Sequence, residues 1–238
     1  MFYKLSNAVE KNKIEKDLNL RFKYPNLYVP DLIINGLTEA TISIVTMEDK
    51  DEINLAIWGL MPEDYKEDWS TFQEISNTLN LNLHQLQTVS WMKPALKHRR
   101  ALILVSGFFA YLLRKGTVYT YYVSLPNDKS FFIGGIYNQL DDGFLSCSPI
   151  TTKANKFISS FHNVDNQMPI IITDSVVETW MSEKTTESTI AQLIKNPPKP
   201  KLRANPIAND FFKNKIVYNS LLQPVYYDEI PKGGLSNS

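Results

Sequence analysis

The sequence is poor in cysteine. Cys147 is the single one in 238 residues, so no intrachain disulfide can form and a disulfide-built secreted scaffold is excluded. Cys147 falls in Gly143-Phe144-Leu145-Ser146-Cys147, a stretch that reads as a strand with a packed, inert thiol. Long apolar runs are missing as well. None approaches the ~18 residues of a spanning helix, and Met1-Phe2-Tyr3-Lys4-Leu5 lacks the apolar core of a signal peptide. The expectation is a cytoplasmic protein without a membrane partner. There is no net charge, since Lys+Arg and Asp+Glu are 25 each. Bulk charge therefore does not advertise a nucleic-acid binder, and any basic surface must be local. No internal repeat is visible. Motifs for nucleotide binding, zinc binding and an elbow serine are absent, so no cofactor, nucleotide or metal is expected.

What is present is an ordinary globular composition, 43% hydrophobic and 21% charged, in a chain long enough to bury a core. Residues 7–22 place Val9, Ile14, Leu18 and Phe22 among Lys and Glu, the pattern of an amphipathic helix. Thr41–Thr46 and Ile53–Trp58 read as strands around a charged turn. Glu63–Asn77 reads as a helix with Trp69, Phe72 and Ile75 on one side. Strands are expected at Ala101–Val105, Phe108–Leu113, Val118–Val123, Phe131–Ile136, Leu145–Ile150 and Met168–Ile172, with Ser106-Gly107 as a break. Thr152–Ser160 has a helical pattern. Asp174 reads as the N-cap of a helix through Met181, and another helix covers Thr189–Lys195. Asn196-Pro197-Pro198-Lys199-Pro200 is a stiff connector. Strands outnumber helices and mostly pair through short turns. The expected fold is α+β, one domain over residues 1–230, with an antiparallel, barrel-like sheet core flanked by helices. The Gly/Ser-rich residues 231–238 read as a flexible tail.

Candidate chemistry concentrates in Phe161-His162-Asn163-Val164-Asp165-Asn166-Gln167-Met168-Pro169, where a histidine precedes an apolar strand. Such a histidine can be structural, satisfied by backbone partners, or can move protons. Trp58-Gly59 can be a core aromatic and bulge, or an exposed base-stacking platform. Lys97-His98-Arg99-Arg100 can be a solvated helix end or a phosphate contact. Tyr119, Tyr121 and Tyr122 read as sheet packing.

Four segments in order, over most of residues 1–181, resemble the SOS-response-associated peptidase family, also called abasic-site processing proteins. Trp58-Gly59-Leu60-Met61-Pro62 resembles its WGLxP motif. Residues Arg100 to Phe109 resemble its RCLVPADGFFEW segment. Gly134-Gly135-Ile136-Tyr137 resembles AGIW, and Ser148 to Asn155 with His162 to Ile172 resembles the ITTxAN…IHxxxxRMPVIL block. The resemblance implies that family's fold. It also implies recognition of abasic or single-stranded DNA in the SOS response to DNA damage, with peptidase, hydrolase or lyase chemistry. In the family a cysteine follows the initiator Met. Its amine and thiol condense with the ring-opened sugar of an abasic site to give a thiazolidine crosslink. An asparagine positions that terminus, while a glutamate and the histidine move protons.

Carried over residue by residue, the resemblance implies a damaged site. Phe2 stands in the cysteine position, and its bulk should leave Met1 in place. Ala110 replaces the glutamate. Asn80-Leu81-Asn82-Leu83-His84-Gln85 matches the family's NARxET, which keeps Asn80 but puts Asn82 for the arginine and His84 for the glutamate. Ser106 replaces an aspartate, and Gln167 replaces the arginine before Met-Pro. His162 and Asn80 are thus the candidate catalytic residues. Trp58, Gly59, Pro62, Arg100, Met168 and Pro169 are the candidate DNA contacts, with no metal site. The expectation is a catalytically degenerate member, a pseudoenzyme that holds DNA. Its rivals are a scaffold that binds protein and a residual lyase using the Met1 amine with His162.

Overall fold

A computed structural model describes residues 2–208 and 219–236. In chain order the elements are β1 (Lys4–Asn7), α1 (Lys11–Leu18), β2 (Arg21–Phe22), β3 (Asp31–Asn35), β4 (Thr41–Thr46), β5 (Glu52–Trp58), α2 (Trp69–Ile75), β6 (Leu81–Asn82), α3 (Leu83–Thr88) and α4 (Met92–His98). Then follow β7 (Arg100–Val105), β8 (Gly107–Arg114), β9 (Thr117–Ser124), β10 (Phe131–Gln139), β11 (Leu145–Lys153), α5 (Lys156–Ser159), β12 (Gln167–Pro169), β13 (Ile171–Ile172), α6 (Asp174–Met181), α7 (Glu187–Lys195), β14 (Arg203–Pro206), a 3-10 turn (Asn219–Leu222) and β15 (Gly234–Leu235).

The larger sheet runs β12-β11-β10-β7-β4-β5-β2. β11 then returns to β5, pairing in parallel at Ser146↔Ile57 and Cys147↔Trp58. The strands β5-β4-β7-β10-β11 therefore close on themselves, which removes most open edges. The smaller sheet runs β15-β14-β9-β8-β1-β3 and is antiparallel throughout. The expected α+β architecture with an antiparallel, barrel-like core is what is found.

Why β7 forms is visible in its sequence. Arg-Ala-Leu-Ile-Leu-Val is buried at every position. Ala101, Ile103 and Val105 point into the core shared by the barrel and β1. Leu102 and Leu104 point outward to a second core under α4, α6 and α7, with Met92, Ala95, Trp180 and Ile190. A strand covered on both faces has no polar alternation to show. β10 does the same with Ile133 inward and Phe132 outward. Gly135 belongs to this crowding: a Cβ there would lie 2.7 Å from both Ile103 Cδ1 and the Ser148 carbonyl oxygen.

Several expected boundaries move. The helix over residues 7–22 is only α1, because Asn19 turns left-handed (φ 53) and Arg21–Phe22 pairs with β5. Within Glu63–Asn77 only Trp69–Ile75 is helical; residues 63–68 carry no apolar repeat to hold a helix against the core. Thr152 continues β11 and pairs with Met168, so the expected helix at Thr152–Ser160 shrinks to α5, capped by Asn155 Oδ1 accepting from Ile158 N at 2.9 Å. Met168–Ile172 is split into β12 and β13, which pair with different strands. The N-cap of α6 is Thr173 rather than Asp174. Within the expected tail, residues 233–236 make ordered contacts. Gly233 takes φ 97, Gly234 and Leu235 pair with Ala204 and Arg203, and Ser236 Oγ accepts from Leu202 N at 2.7 Å. Residues 237 and 238 of the expected tail lie outside the described residues.

Candidate functional site

β6 lies beside β11, with Leu81 and Asn82 opposite Ile150 and Thr151. This sets Asn80 against the chain start. Its Nδ2 donates to the Phe2 carbonyl at 2.9 Å, and its Oδ1 is buried without a partner among the described residues. Phe2 is 1% exposed. Its ring stands edge-on to Phe108 at 5.4 Å and lies 5.0 Å from the imidazole of His162, tilted by 31°. The structure thus brings Phe2, Asn80 and His162 together, and Phe2 fills the space between them.

His162 is buried and held at both nitrogens. Tyr111 N donates to Nδ1 at 3.0 Å, so Nδ1 is the bare nitrogen. Nε2 carries the proton and donates to Asp165 Oδ1 at 3.0 Å. The same oxygen accepts from Gln167 N at 2.9 Å. Burial pulls the imidazole down from 6.5 to about 4, so the ring is neutral near pH 7. A neutral imidazole whose lone pair is engaged cannot accept a substrate proton without first breaking that bond.

The loop around His162 also explains itself structurally. β1 covers β8 only at Gly107 and Phe108. Further along, Asn163 N donates to Tyr111 O at 3.1 Å. Leu113 N donates to Asn163 Oδ1 at 2.7 Å, and Asn163 Nδ2 donates to Leu113 O at 3.0 Å. His162 and Asn163 thereby stand in for a strand along an edge that would otherwise be unpaired.

The other replaced positions are quiet. Ala110 is fully buried on β8 opposite Tyr121. Ser106 Oγ accepts from Ala8 N at 2.9 Å and shares hydrogen bonds with Ser6 and Tyr122, both at 3.1 Å. Asn82 caps α3, accepting from Gln85 N at 3.0 Å while its own N–H donates to Gln85 Oε1 at 3.0 Å. His84 is exposed in that helix. Gln167 Oε1 accepts from Thr151 Oγ1 at 2.5 Å.

The candidate DNA contacts need correction. Arg100 is 0% exposed. Its Nε donates to Trp180 O at 2.6 Å, Nη1 to Leu96 O and Lys97 O at 2.8 and 2.6 Å, and Nη2 to Ser182 O at 2.7 Å. It ties the C-terminal carbonyls of α4 and α6 to β7, where a cation suits the helix ends. Burial lowers it to about 10 without discharging it near pH 7. It offers nothing to a phosphate. Trp58 is also 0% exposed, with Nε1 donating to Leu79 O at 2.8 Å, and so cannot stack on a base. Gly59 is buried with φ 120 and sits under Trp69 and Gln73. Met168 and Pro169 are buried in β12; Pro62 is half-buried. Residue type and motif marked these positions, but packing decided their accessibility. Sequence reasoning missed Asp165 and the backbone of Tyr111, whose partners lie far apart in the chain or in a loop.

Cys147 is buried in the seam where β11 meets β5, and burial drives its thiol far up. Among the described residues no group of three or more His, Cys, Asp or Glu could hold a metal ion. No helix among them is long and apolar enough to cross a membrane.

Comparison with known proteins places this geometry. An abasic site processing protein of Saccharomyces cerevisiae is 25% identical over 202 residues, covering 82% of this chain but 53%, about half, of the yeast protein. The abasic site processing protein YoqW of Bacillus subtilis is 22% identical over 162 residues, covering 66% of this chain and 69% of its own length. A crystal structure of a Bacteroides thetaiotaomicron protein superposes with a TM-score of 0.82 at 23% identity, covering 94% of this chain and 100% of that one. A second, from Bordetella bronchiseptica, gives 0.70 at 14% identity, covering 87% and 99%. These two show a shared fold. The family profile named SOS response associated peptidase (SRAP) matches residues 3–214, nearly the whole length, and the chain belongs to that family.

Proposed function

We propose that this protein recognises abasic sites in single-stranded DNA, in the response to DNA damage, without forming the covalent crosslink that the sequence resemblance implies for its relatives. Family membership and the abasic-site relatives support the DNA half of the reading. One observation carries the degenerate half: the Phe2 ring is buried at 5.0 Å from His162, with its carbonyl held by Asn80. A hydrocarbon ring there has no nucleophile, and it leaves no room beside the imidazole for a sugar aldehyde. His162 lacks a free lone pair, and Ala110 cannot carry a proton.

The test is incubation with single-stranded DNA bearing an abasic site, followed by a denaturing gel. No covalent band is expected. A stable adduct formed by the wild type would overturn the degenerate reading, and no binding on a native gel at low salt would overturn the DNA reading. Phe2→Cys with Ala110→Glu asks whether only the reactive groups were lost; crosslinking by that double variant is the expected gain.

The burial of Arg100 and Trp58 favours a second reading, a non-catalytic scaffold that binds protein. It expects no retention of DNA and no trapped species. The third reading, a lyase using the Met1 amine, places its nucleophile outside the described residues. Borohydride trapping of a Schiff base with abasic DNA would support it.

A further inference from the structure

β5 has two edges, and one of them is interrupted. β4 pairs along the first edge from Asn54 to Ile57. On the other, β2 pairs at Glu52 and Ile53, and β11 pairs at Ile57 and Trp58. Between them, Asn54, Leu55 and Ala56 have no strand neighbour on that side among the described residues. This break is the floor of a cleft of ≈ 1120 Å³. Its walls are the chain leaving β2, with Lys23, Tyr24 and Leu27, and the turn entering β11, Asp142 to Leu145.

Lining, more than size, selects the occupant. The volume stands at the upper end of the about 300–1,000 Å³ of small-molecule sites, so the lining carries the choice. Leu27 is 67% exposed, Phe144 64% and Tyr24 50%, a set of large apolar side chains facing one opening. The charge is one-sided. Glu39, Glu48, Asp49 and Asp142 line the cleft against the single cation Lys23, which already lies 3.5 Å from Asp49. No ion pair among the described residues involves Glu39, Glu48 or Asp142. Such a surface repels a phosphate backbone and attracts Lys and Arg.

We propose that this cleft docks an extended segment of a partner protein in which Lys or Arg side chains alternate with apolar ones. Where it crosses the break, a stretch of about three residues meets the backbone beside Leu55, the room left between β2 and β11. Its apolar side chains rest on Tyr24, Leu27 and Phe144, and its cations face Glu48 and Asp142. The cleft lies over residues 54–57 of β5 and the turn that enters β11, whereas Phe2 is held by Asn80 and His162 by Tyr111 of β8, outside its lining. The inference therefore stands whether or not DNA is bound there.

The probe is a short fluorescein-labelled peptide alternating Arg with Val, beside a counterpart with Glu for every Arg. Fluorescence anisotropy reads affinity, and amide NMR shifts read location. The basic peptide binds, more weakly as salt rises, and shifts Leu55, Phe144 and Leu145. Asp142→Lys weakens it by about tenfold or more, and Phe144→Ser weakens it at unchanged salt dependence. Both positions are exposed, so neither change unfolds the protein, and Leu27→Ser supplies an independent check on the opposite wall. The proposal is overturned by no binding, by equal binding of the Glu peptide, by shifts centred on Phe2 and His162, or by variants that bind like wild type. A single-stranded oligonucleotide that shifts the same amides also overturns it, since the occupant would then be nucleic acid.

Discussion

Two regions of one barrel differ in how completely they satisfy themselves. Between β6 and β8, Phe2, Asn80 and His162 are buried, and both imidazole nitrogens are bonded. At the middle of β5 and the turn before β11, a ladder is broken, three carboxylates have no ion pair among the described residues, and large apolar side chains face solvent. The first region carries the family's sequence marks and behaves as core. The second touches those marks only at Tyr137 and behaves as a surface left open. Family sequence marks and exposed large side chains fall mostly in different regions of this chain.

The sharpest way to break this contrast is Phe2→Ala. If the first region is core, the lost ring leaves a cavity and costs about 3–5 kcal/mol, read as a lower urea midpoint. A change under about 0.5 kcal/mol would mean that Phe2 is a loose plug and the site is open. Lowering the pH is next. The imidazole is neutral when folded and takes a proton more readily when unfolded, because burial depresses it from 6.5 to about 4. Its contribution is intact above about pH 6.5, is lost as pH falls toward 4 and is level below. The limit is on the order of 3 kcal/mol, reduced by the Asp165 carboxylate, which favours the charged ring. Urea midpoints across this range, compared with His162→Gln, isolate the contribution; identical slopes would exclude it.

Asn80→Ala is smaller. It strands the Phe2 carbonyl without its donor, a loss of about 1–3 kcal/mol, seen in thermal melts. Asn80→Asp should not be milder, since a carboxylate cannot donate to the Phe2 carbonyl and sets acceptor against acceptor. The smallest effects belong to the cleft. Asp142→Lys and Phe144→Ser should stay within about 0.5 kcal/mol of wild type. A melting loss as large as that of Asn80→Ala would show that the cleft is structural after all.

Much of the sheet system was legible. β7 and β10 announce themselves as apolar runs, and β4 and β5 as a hairpin around charged residues. β1, β2, β6 and β15 were not, since two to four residues leave no period and their pairing is distant in the chain. α3 was hidden by its polar composition; it stands on the Asn82–Gln85 capping box rather than on an apolar stripe. At the site, resemblance located His162, Asn80 and Phe2 together, which no local pattern could do. The same resemblance misled at Arg100, the last residue of a basic run whose Lys97 and His98 are exposed. Only the fold could tell that Arg100 turns inward to four carbonyls.

The lone thiol has a practical consequence. Cys147 lies where the barrel zips shut, opposite Trp58, with no exposed surface. A thiol reagent can reach it only when β11 parts from β5. The rate of labelling under native conditions is therefore a clock for that parting, reporting the free energy of seam opening from a single atom. Run with and without an oligonucleotide or a peptide, the same clock would tell whether a ligand holds that seam closed.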